Sequence, residues 1–355
     1  MTRVFLTGMG RSGTSLLDKL LCMHDAIDII SQPIPLVFIE AKKQFLSKFG
    51  KPGYYVLNDD EVSRNYSVNE FKSFLTSLGW SSLHVAHLFE KMRSYSGQKT
   101  PTDQFPASGL AEDLTGFANV LKCCLQHFSF KDSASHIGTK EIMCEEFLPY
   151  LISEGYRCIV IVRDPRDMLA SANYPLAEKY LGDRKPSLLL LQAWRKSVEF
   201  AWSLRNEPGF HCLRYEDLVA DPLTEINRIA DFLRLPQFND ALLSGEVRDR
   251  QGRPWAANSS TGKLGAFIST ASVGAFVRIL KPEEIAYTEA VCGYEMDWLG
   301  YSRKSGGNAF EIIENFRDSG VISTSRLPAD LSGCPKSVKQ ELQRLHDFKN
   351  HYICR

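Results

Sequence analysis

Short runs of apolar residues alternate along the chain with longer stretches in which apolar residues recur every three or four positions. The short runs predict strands covered on both faces, and the longer stretches predict amphipathic helices. Strands are predicted at Val4–Thr7, His136–Thr139, Arg157–Val162 and Phe210–Arg214. This alternation favours an α/β fold with a parallel central sheet flanked by helices.

Helices are predicted between and after these strands. They are expected at Met143–Glu154, at Ser187–Arg205, from Pro222 to about Leu235, and at Pro282–Cys292. Residues 302–308 have the composition of a linker and begin a C-terminal helical extension, residues 302–355. The helices expected in it are Phe310–Asp318 and Lys336–Tyr352. The extension is expected to pack against the domain or to mediate self-association as a homo-oligomer.

Residues 32–135 read as a helical insertion. Their predicted helices are Leu36–Phe49, Val68–Leu78, Ser82–Tyr95 and Leu110–Phe128. The stretch is too long to be a plain loop. It separates the first strand and its loop from the next predicted strand, so it is expected to form a lid over a ligand bound there. A purely structural helical layer is the alternative, and one insertion can serve both purposes.

A glycine-rich loop follows the first strand directly. Gly8 and Gly13 have four residues between them, and the hydroxyl pair Thr14 and Ser15 follows, which is the frame of a nucleotide-triphosphate loop. Its backbone N–H groups and the start of the next helix can hold an anion. However, Thr14 stands where the lysine that reaches the β and γ phosphates belongs, and the loop's only cation is Arg11. The loop therefore predicts a nucleotide that is not used as a triphosphate.

A second polar segment follows the strand Arg157–Val162. Arg163 lies at the carboxyl end of that strand, Pro165 suits the first turn of a helix, and Ser171 falls two turns into that helix. Ligands of open α/β sheets bind at this edge. Arg163 is therefore expected at a ligand-binding edge of the sheet.

Together these segments resemble the sulfotransferases that use 3′-phosphoadenosine 5′-phosphosulfate (PAPS) and release 3′-phosphoadenosine 5′-phosphate (PAP). The family's 5′-phosphosulfate loop resembles Gly8–Leu17, and its 3′-phosphate segment resembles residues 163–171. Further similar stretches are Leu213–Leu218, Asp221–Pro222, Ile229–Leu233 and the tail from Trp255 to Tyr301. The resemblance implies a P-loop-containing, sulfotransferase-like fold for residues 1–301, in which the insertion is the acceptor-binding lid.

The resemblance also implies the residues that bind the donor. The loop residues expected at the 5′-phosphate are Gly10, Arg11, Ser12, Gly13, Thr14 and Ser15. Arg163 and Ser171 are expected at the 3′-phosphate, Tyr215 near the adenine, and Lys263 in a loop over the 3′-phosphate. The alternatives are a salt bridge from Arg163 to Asp164 or Glu216, and a core position for Tyr215. Arg166 is expected to be structural.

For catalysis the resemblance implies Arg11 at the leaving phosphate and Lys140 at the sulfonate. The general base does not follow from it, because Ile142 and Gln32 occupy the positions at which family members carry a histidine or a glutamate. Glu141 is the first candidate, with its pKa expected to be kept low by Lys140, and His87 is the second. His84, His136 and Asp103 are further candidates.

Composition limits the partners. The 355 residues carry 42 basic and 42 acidic side chains, so net charge does not attract the protein to nucleic acid or to an anionic membrane. The nine cysteines lack metal-ligand spacing and are expected to be free thiols, with no metal site. No apolar stretch is long enough to span a membrane, and no signal peptide is evident, so the expected location is the cytoplasm.

The expected function is sulfuryl transfer from PAPS, without a metal, to a hydroxyl or amine of a small-molecule acceptor, either a specialised metabolite or a carbohydrate. Two alternatives stay open. A P-loop small-molecule kinase would share the strand, loop and helix, but would need the loop lysine and magnesium. A non-catalytic PAP-binding protein would explain the absence of the family base.

Overall fold

A computed structural model of the chain describes residues 1–50, 66–95, 113–174, 184–239, 243, 245–255, 267–319 and 338–352. The first half contains β1 (Thr2–Thr7), α1 (Thr14–Cys22), β2 (Ile27–Ser31), α2 (Pro35–Ser47), α3 (Val68–Ser77), β3 (Gly79–Trp80), α4 (Ser82–Arg93), β4 (Leu114–Thr115), α5 (Phe117–Gln126) and β5 (His136–Lys140). The second half contains a 3₁₀ turn (Glu145–Phe147), α6 (Leu148–Ser153), β6 (Arg157–Val162), α7 (Pro165–Asn173), α8 (Ser187–Leu204), β7 (Phe210–Arg214), α9 (Tyr215–Ala220), α10 (Pro222–Leu233), α11 (Phe276–Ile279), α12 (Pro282–Trp298), α13 (Ala309–Asn315) and α14 (Val338–Tyr352).

The central sheet is parallel, as the sequence predicts. Its five strands stand in the order β2-β5-β1-β6-β7, and every adjacent pair is parallel. β1 lies in the middle, with Leu6 paired to Lys140 on one side and to Ile159 on the other. The carboxyl ends of β2, β5, β1 and β6 therefore lie along one edge, where the predicted ligand residues are located.

The sequence analysis missed strand β2. Its apolar run Ile27-Asp28-Ile29-Ile30 is interrupted by an aspartate that is fully buried. Asp28 accepts hydrogen bonds from Arg250 Nε at 2.9 Å, from the Arg250 guanidinium at 2.8 Å and from the Lys131 N–H at 2.9 Å. Buried charges persist where they are paired and hydrogen-bonded. These partners are distant in sequence, so the pattern along the strand did not reveal it.

The predicted helix Met143–Glu154 begins further along the chain than expected and is divided into a 3₁₀ turn and a short α-helix. Met143 has a φ of 57°, in the left-handed region that a helix excludes. Its N–H donates to the Gly8 carbonyl at 3.1 Å, which joins this turn to the glycine loop. The chain then makes the short 3₁₀ turn before α6 begins at Leu148.

Four buried side chains hold this turn, and we call them the balanced cluster: Lys42, Glu145, Glu146 and Lys196. Glu146 contacts Lys42 and Lys196 at 2.7 Å each, and Lys196 contacts Glu145 at 3.2 Å. Burial disfavours every charge here, but Glu146 and Glu145 outweigh it and raise the pKa of Lys196. Lys196 and Lys42 likewise lower the pKa of Glu146. Both ammonium groups also donate to the Met143 carbonyl.

The helical insertion packs on the sheet through aromatic side chains. Phe38 of α2 lies 5.4 Å from the Phe5 ring, 5.2 Å from Phe117 and 4.9 Å from Phe147, measured between ring centroids. Phe45 and Phe71 continue the contact at 4.8 Å. The described part of the insertion therefore forms a structural layer with a continuous core. Its role as a lid stays a prediction.

The C-terminal extension packs against the domain. Ile313 of α13 and Leu345 of α14 are buried in the main hydrophobic cluster. Glu341 of α14 lies 2.5 Å from the buried Arg195 of α8. Burial acts to raise the pKa of Glu341, but the charges of Arg195 and Arg344 outweigh it and lower the pKa to about 2. Self-association through the extension stays a prediction.

Candidate active site at the carboxyl edge of the sheet

The glycine loop between β1 and α1 is tightly curved. Gly13 has a φ of 97°, and a Cβ atom on it would lie 2.4 Å from the Tyr215 ring, so this position requires glycine. Arg11 has a φ of 73°, which is uncommon for a residue other than glycine. Ser12 and Thr14 are buried, while Gly10, Arg11 and Ser15 are partly exposed. The loop presents the start of α1 and the Arg11 side chain at the same edge.

The structure brings the two predicted anion-binding segments together. Arg11 Nε donates to Ser171 Oγ at 3.0 Å, although the two residues are 160 positions apart. Arg163 donates to the Arg11 carbonyl oxygen at 3.1 Å, and its guanidinium carbon lies 4.5 Å from the centre of the Tyr215 ring. We call Arg11 and Arg163 the guanidinium pair.

Ser272 joins this constellation, and the sequence analysis did not find it. Its carbonyl accepts from Arg163 at 2.8 Å, and its Oγ lies 2.8 Å from the Tyr215 hydroxyl. Asp167 of α7 holds the following turn by accepting from the N–H groups of Gly274 and Phe276. The sequence predicts a basic ligand in this region, Lys263, whereas a serine in a polar stretch gives no comparable signal.

The electrostatics of the guanidinium pair favour an anion. Burial, and then the charge of Arg163, lower the pKa of Arg11 to about 10. Within the described part of the chain, neither guanidinium has a carboxylate in ion-pair contact. The alternative partners of Arg163 are occupied elsewhere: Asp164 binds Arg166 at 2.6 Å, and Glu216 accepts from the Asp164 N–H and the Tyr301 hydroxyl. Two adjacent cations that lack a carboxylate in contact disfavour each other, and bound anionic groups would relieve this.

The residues around Arg163 are structural supports. The indole N–H of Trp194 donates to the Arg163 carbonyl at 2.7 Å, which fixes the carboxyl end of β6 against α8. Arg166 is structural, as expected, because it binds Asp164, Glu289 and the Ser302 carbonyl.

Lys140 lies at the carboxyl end of β5 and is fully buried. Its Nζ donates to Ser15 Oγ at 3.2 Å and to Gln32 Oε1 at 3.2 Å, and it lies 3.7 Å from Asp18 Oδ2. Its ammonium group therefore lies at the first turn of α1, beside the glycine loop.

Glu141 directly follows β5, and its N–H donates to the Leu6 carbonyl of β1 at 3.0 Å. Its carboxylate is buried and accepts from the Ile34 N–H at 3.0 Å. The expectation of a low pKa was wrong: burial raises the pKa of Glu141 to about 8, and the Ile34 N–H, Lys140 and Lys42 do not offset this. The reason is that a buried carboxylate loses more solvation than these partners return.

The other candidate bases are dispersed. His87 is exposed on α4, and His84, on the same helix, lies 3.5 Å from Glu40. His136 begins β5, so it lies at the amino edge of the sheet, where it contacts the Leu233 carbonyl at 3.0 Å. This position at the opposite edge argues against His136 as a base. Asp103 and the predicted ligand Lys263 lie outside the described residues.

The described residues hold no metal-ion cluster, membrane-spanning helix or disulfide. No group of three or more His, Cys, Asp or Glu side chains there is arranged to hold a metal ion. None of the helices there is sufficiently long and apolar to cross a membrane. All seven described cysteines are free thiols, as expected.

Comparison with known proteins places the chain in a family. A family profile described as "Sulfotransferase domain" matches residues 1–300. The rat protein "Sulfotransferase 2A1" is 28% identical over 114 residues, which is 29% of this chain and 40% of that protein. The match thus spans about two fifths of the relative's length.

The similar solved structures have low sequence identity to this chain. The sulfotransferase domain from the curacin biosynthetic pathway is 18% identical with a TM-score of 0.46, covering 85% of this chain and 99% of its own. The sulfotransferase domain of the Synechococcus PCC 7002 olefin synthase is 17% identical with a TM-score of 0.44, covering 79% and 89%. Because the family profile spans most of the chain, this protein belongs to the sulfotransferase domain family.

Proposed function

We infer that the protein transfers a sulfuryl group from PAPS to a hydroxyl or amine of a small-molecule acceptor. The observation that carries this proposal is the convergence of Arg11, Arg163 and Ser171 at one edge of the sheet. The hydroxyl and the two guanidinium groups come from two segments far apart in sequence. Guanidinium groups bind phosphate through two N–H groups at once, and they do so best where the phosphate is partly removed from water.

Orphaned polar atoms support the fit of such a donor. Ser12 Oγ and Arg163 Nε are buried without a hydrogen-bond partner in the described part of the chain. Native proteins seldom leave such donors unsatisfied, so each of them favours a ligand. In this proposal the glycine loop with Ser12, Thr14 and Ser15 holds the 5′-phosphate. Arg163 and Ser171 hold the 3′-phosphate, and Tyr215 packs at the nucleoside.

The donor supplies an activated sulfuryl group. In the transfer, the bond from sulfur to the bridging phosphate oxygen breaks, and a bond from sulfur to the acceptor oxygen or nitrogen forms. Arg11 stabilises the negative charge that grows on the departing 5′-phosphate, and Lys140 balances charge on the sulfonate oxygens. The proton of the acceptor leaves to a base.

Glu141 is the proposed base, with His87 second. A base must be ionised to accept a proton, and the pKa of Glu141 is raised to about 8. The rate of transfer should therefore rise with pH through about 8 and level off above it. Glu141→Gln should remove this rise and retain PAP binding, whereas His87→Ala should leave the profile unchanged. An unchanged profile in Glu141→Gln would exclude Glu141 as the base.

The start of the insertion supports its proposed role at the acceptor. Glu141 accepts from the Ile34 N–H, and α2 begins at the next residue, Pro35. The insertion thus leaves the sheet at the edge where donor and acceptor must meet. A specialised metabolite or a carbohydrate is the proposed acceptor, and a panel of phenols, alcohols, amines and sugars assayed for PAP release would identify its class.

Calorimetric titration tests the donor assignment. The protein should bind PAP far more tightly than AMP, because only PAP carries the 3′-phosphate. Equal affinity for the two nucleotides would contradict the proposal. Transfer from PAPS should continue in a chelator. A requirement for ATP and Mg²⁺ would favour the kinase alternative, and tight PAP binding without transfer to any acceptor would favour the non-catalytic one.

A further inference from the structure

Gln32 combines an unusual backbone with a contact at the proposed sulfonate site. It directly follows β2, and its φ is 44°, in the left-handed region that glutamine seldom adopts. Its N–H donates to the Lys140 carbonyl at 2.7 Å, which extends the pairing of β2 with β5 by one residue. Left-handed residues of this kind carry a cost that the surroundings must offset, and they occur often at functional sites.

The side chain of Gln32 contacts the same lysine. Its Oε1 accepts from Lys140 Nζ at 3.2 Å, and Gln32 itself is 7% exposed. Both the main chain and the side chain of Gln32 thus contact Lys140. The left-handed backbone turns the chain at this point while the amide stays at the sheet edge.

A second acceptor competes for the Lys140 ammonium group. Asp18 lies one turn after Ser15 on α1, so both side chains are on the same face of the helix. Asp18 is fully buried and lies 3.7 Å from Lys140 Nζ and 2.9 Å from Lys19 Nζ. A full negative charge attracts an ammonium group more strongly than a neutral amide does. Lys140 nevertheless lies closer to Ser15 and Gln32 than to Asp18.

We propose that Gln32 is a positioning residue that holds the Lys140 ammonium group at Ser15, beside the sulfonate of the donor, against the attraction of Asp18. A neutral amide suits this role because it accepts from the lysine without cancelling its charge. A carboxylate at the same place would bring a second negative charge to Lys140, which already has Asp18 at 3.7 Å. The proposal rests on the donor assignment made above.

The test uses two substitutions with different effects. Gln32→Asn keeps an amide and a residue type that tolerates the left-handed backbone, but its side chain is one methylene shorter. Gln32→Glu keeps the length and adds a charge. Both variants are compared with wild type for affinity toward PAP and toward PAPS, since only PAPS carries the sulfonate.

Both Gln32 variants should lose about tenfold in PAPS affinity relative to PAP affinity, the range of one charge-assisted hydrogen bond. Gln32→Glu should lose more than Gln32→Asn. In a Lys140→Met background neither substitution should change the ratio further, because the residue through which Gln32 acts is gone. Retained PAP binding shows that each variant is folded.

Asp28→Asn is the matched control. Asp28 is also a buried polar residue of the β2 segment, but its partners are Arg250 and Lys131, away from Lys140. It should lower stability without changing the ratio of PAPS to PAP affinity. An unchanged ratio in both Gln32 variants, or an effect that persists in the Lys140→Met background, would overturn the proposal. If wild type bound PAP no better than AMP, the donor assignment would fail, and the proposal with it.

Discussion

The balanced cluster and the guanidinium pair are two groups of buried or partly buried charges, and they differ in how their charges are compensated. In the balanced cluster, Lys42 and Lys196 meet Glu145 and Glu146 at ion-pair distance. In the guanidinium pair, Arg11 and Arg163 face carbonyl and hydroxyl oxygens instead. The pKa of Lys196 is raised, whereas that of Arg11 is lowered to about 10.

This difference distinguishes the balanced cluster, which supports the fold, from the guanidinium pair, which is the proposed ligand site. A buried charge that has its counter-ion fixes the local fold, and removing one partner leaves the other uncompensated. Two neighbouring cations without a carboxylate in contact gain no such stabilisation, which supports the proposed anion site. Basic side chains therefore have different surroundings in the two groups. Met143 lies between the glycine loop and the balanced cluster, because its N–H donates to Gly8 and its carbonyl accepts from Lys42 and Lys196.

The largest effect is expected in the balanced cluster. Lys196→Met leaves Glu145 and Glu146 with one cation, and it should lower the free energy of unfolding by about 3–5 kcal/mol. Chemical denaturation measures this, with the exposed Lys91→Met as control. Folded Lys196→Met protein should still bind PAP. A loss below about 1 kcal/mol, the range of an exposed ion pair, would show that the balanced cluster stabilises the fold no more than a surface ion pair does.

The next effect is on catalysis. Arg11→Ala should lower PAPS turnover by about 10²–10³-fold, the cost of removing one donor that stabilises transition-state charge. Its free energy of unfolding should not fall, because the repulsion from Arg163 is removed with it. Arg11→Lys, which keeps a cation, should retain part of the turnover. If Arg11→Ala weakened PAP binding as much as it lowered turnover, Arg11 would act on binding alone.

A smaller effect is expected at the other member of the pair. Arg163→Ala should weaken PAP binding by about 1.5–3 kcal/mol, the value of hydrogen bonds to a charged group. AMP affinity should change little, because AMP lacks the 3′-phosphate. Titration calorimetry measures both, and Arg250→Ala, which removes a partly buried arginine paired with Asp28, is the control. Unchanged PAP affinity in Arg163→Ala would refute its assignment.

The smallest effect concerns Ser171, whose hydroxyl accepts from Arg11. Ser171→Ala should weaken PAP binding by about 1.5 kcal/mol, the lower end of the range for one hydrogen bond to a charged group. It also frees Arg11 Nε, so turnover should change in a different proportion from affinity. Equal loss of PAP and AMP affinity would show that Ser171 supports the loop rather than the 3′-phosphate.

Local patterns determined much of this protein. Short strand patterns in the sequence identified four of the five described strands of the central sheet, and glycine spacing identified the loop after β1, because both signals lie within a few neighbouring residues. Many helix positions followed from periodicity. However, Met143 adopts a left-handed backbone and delays the helix predicted there, and β4 interrupts the helix predicted at Leu110–Phe128, which begins only at Phe117. The resemblance also named Arg11, Arg163 and Ser171, which the fold brings together.

Only the tertiary structure decided the rest. Asp28 is acceptable inside β2 because Arg250 reaches it from across the chain, and Ser272 contacts Arg163 through folding alone. The pKa of Glu141 also depends on how deeply its carboxylate is buried, which the neighbouring Lys140 does not indicate. Partners distant in sequence and the loss of solvation set these properties, and neither is encoded in a local pattern.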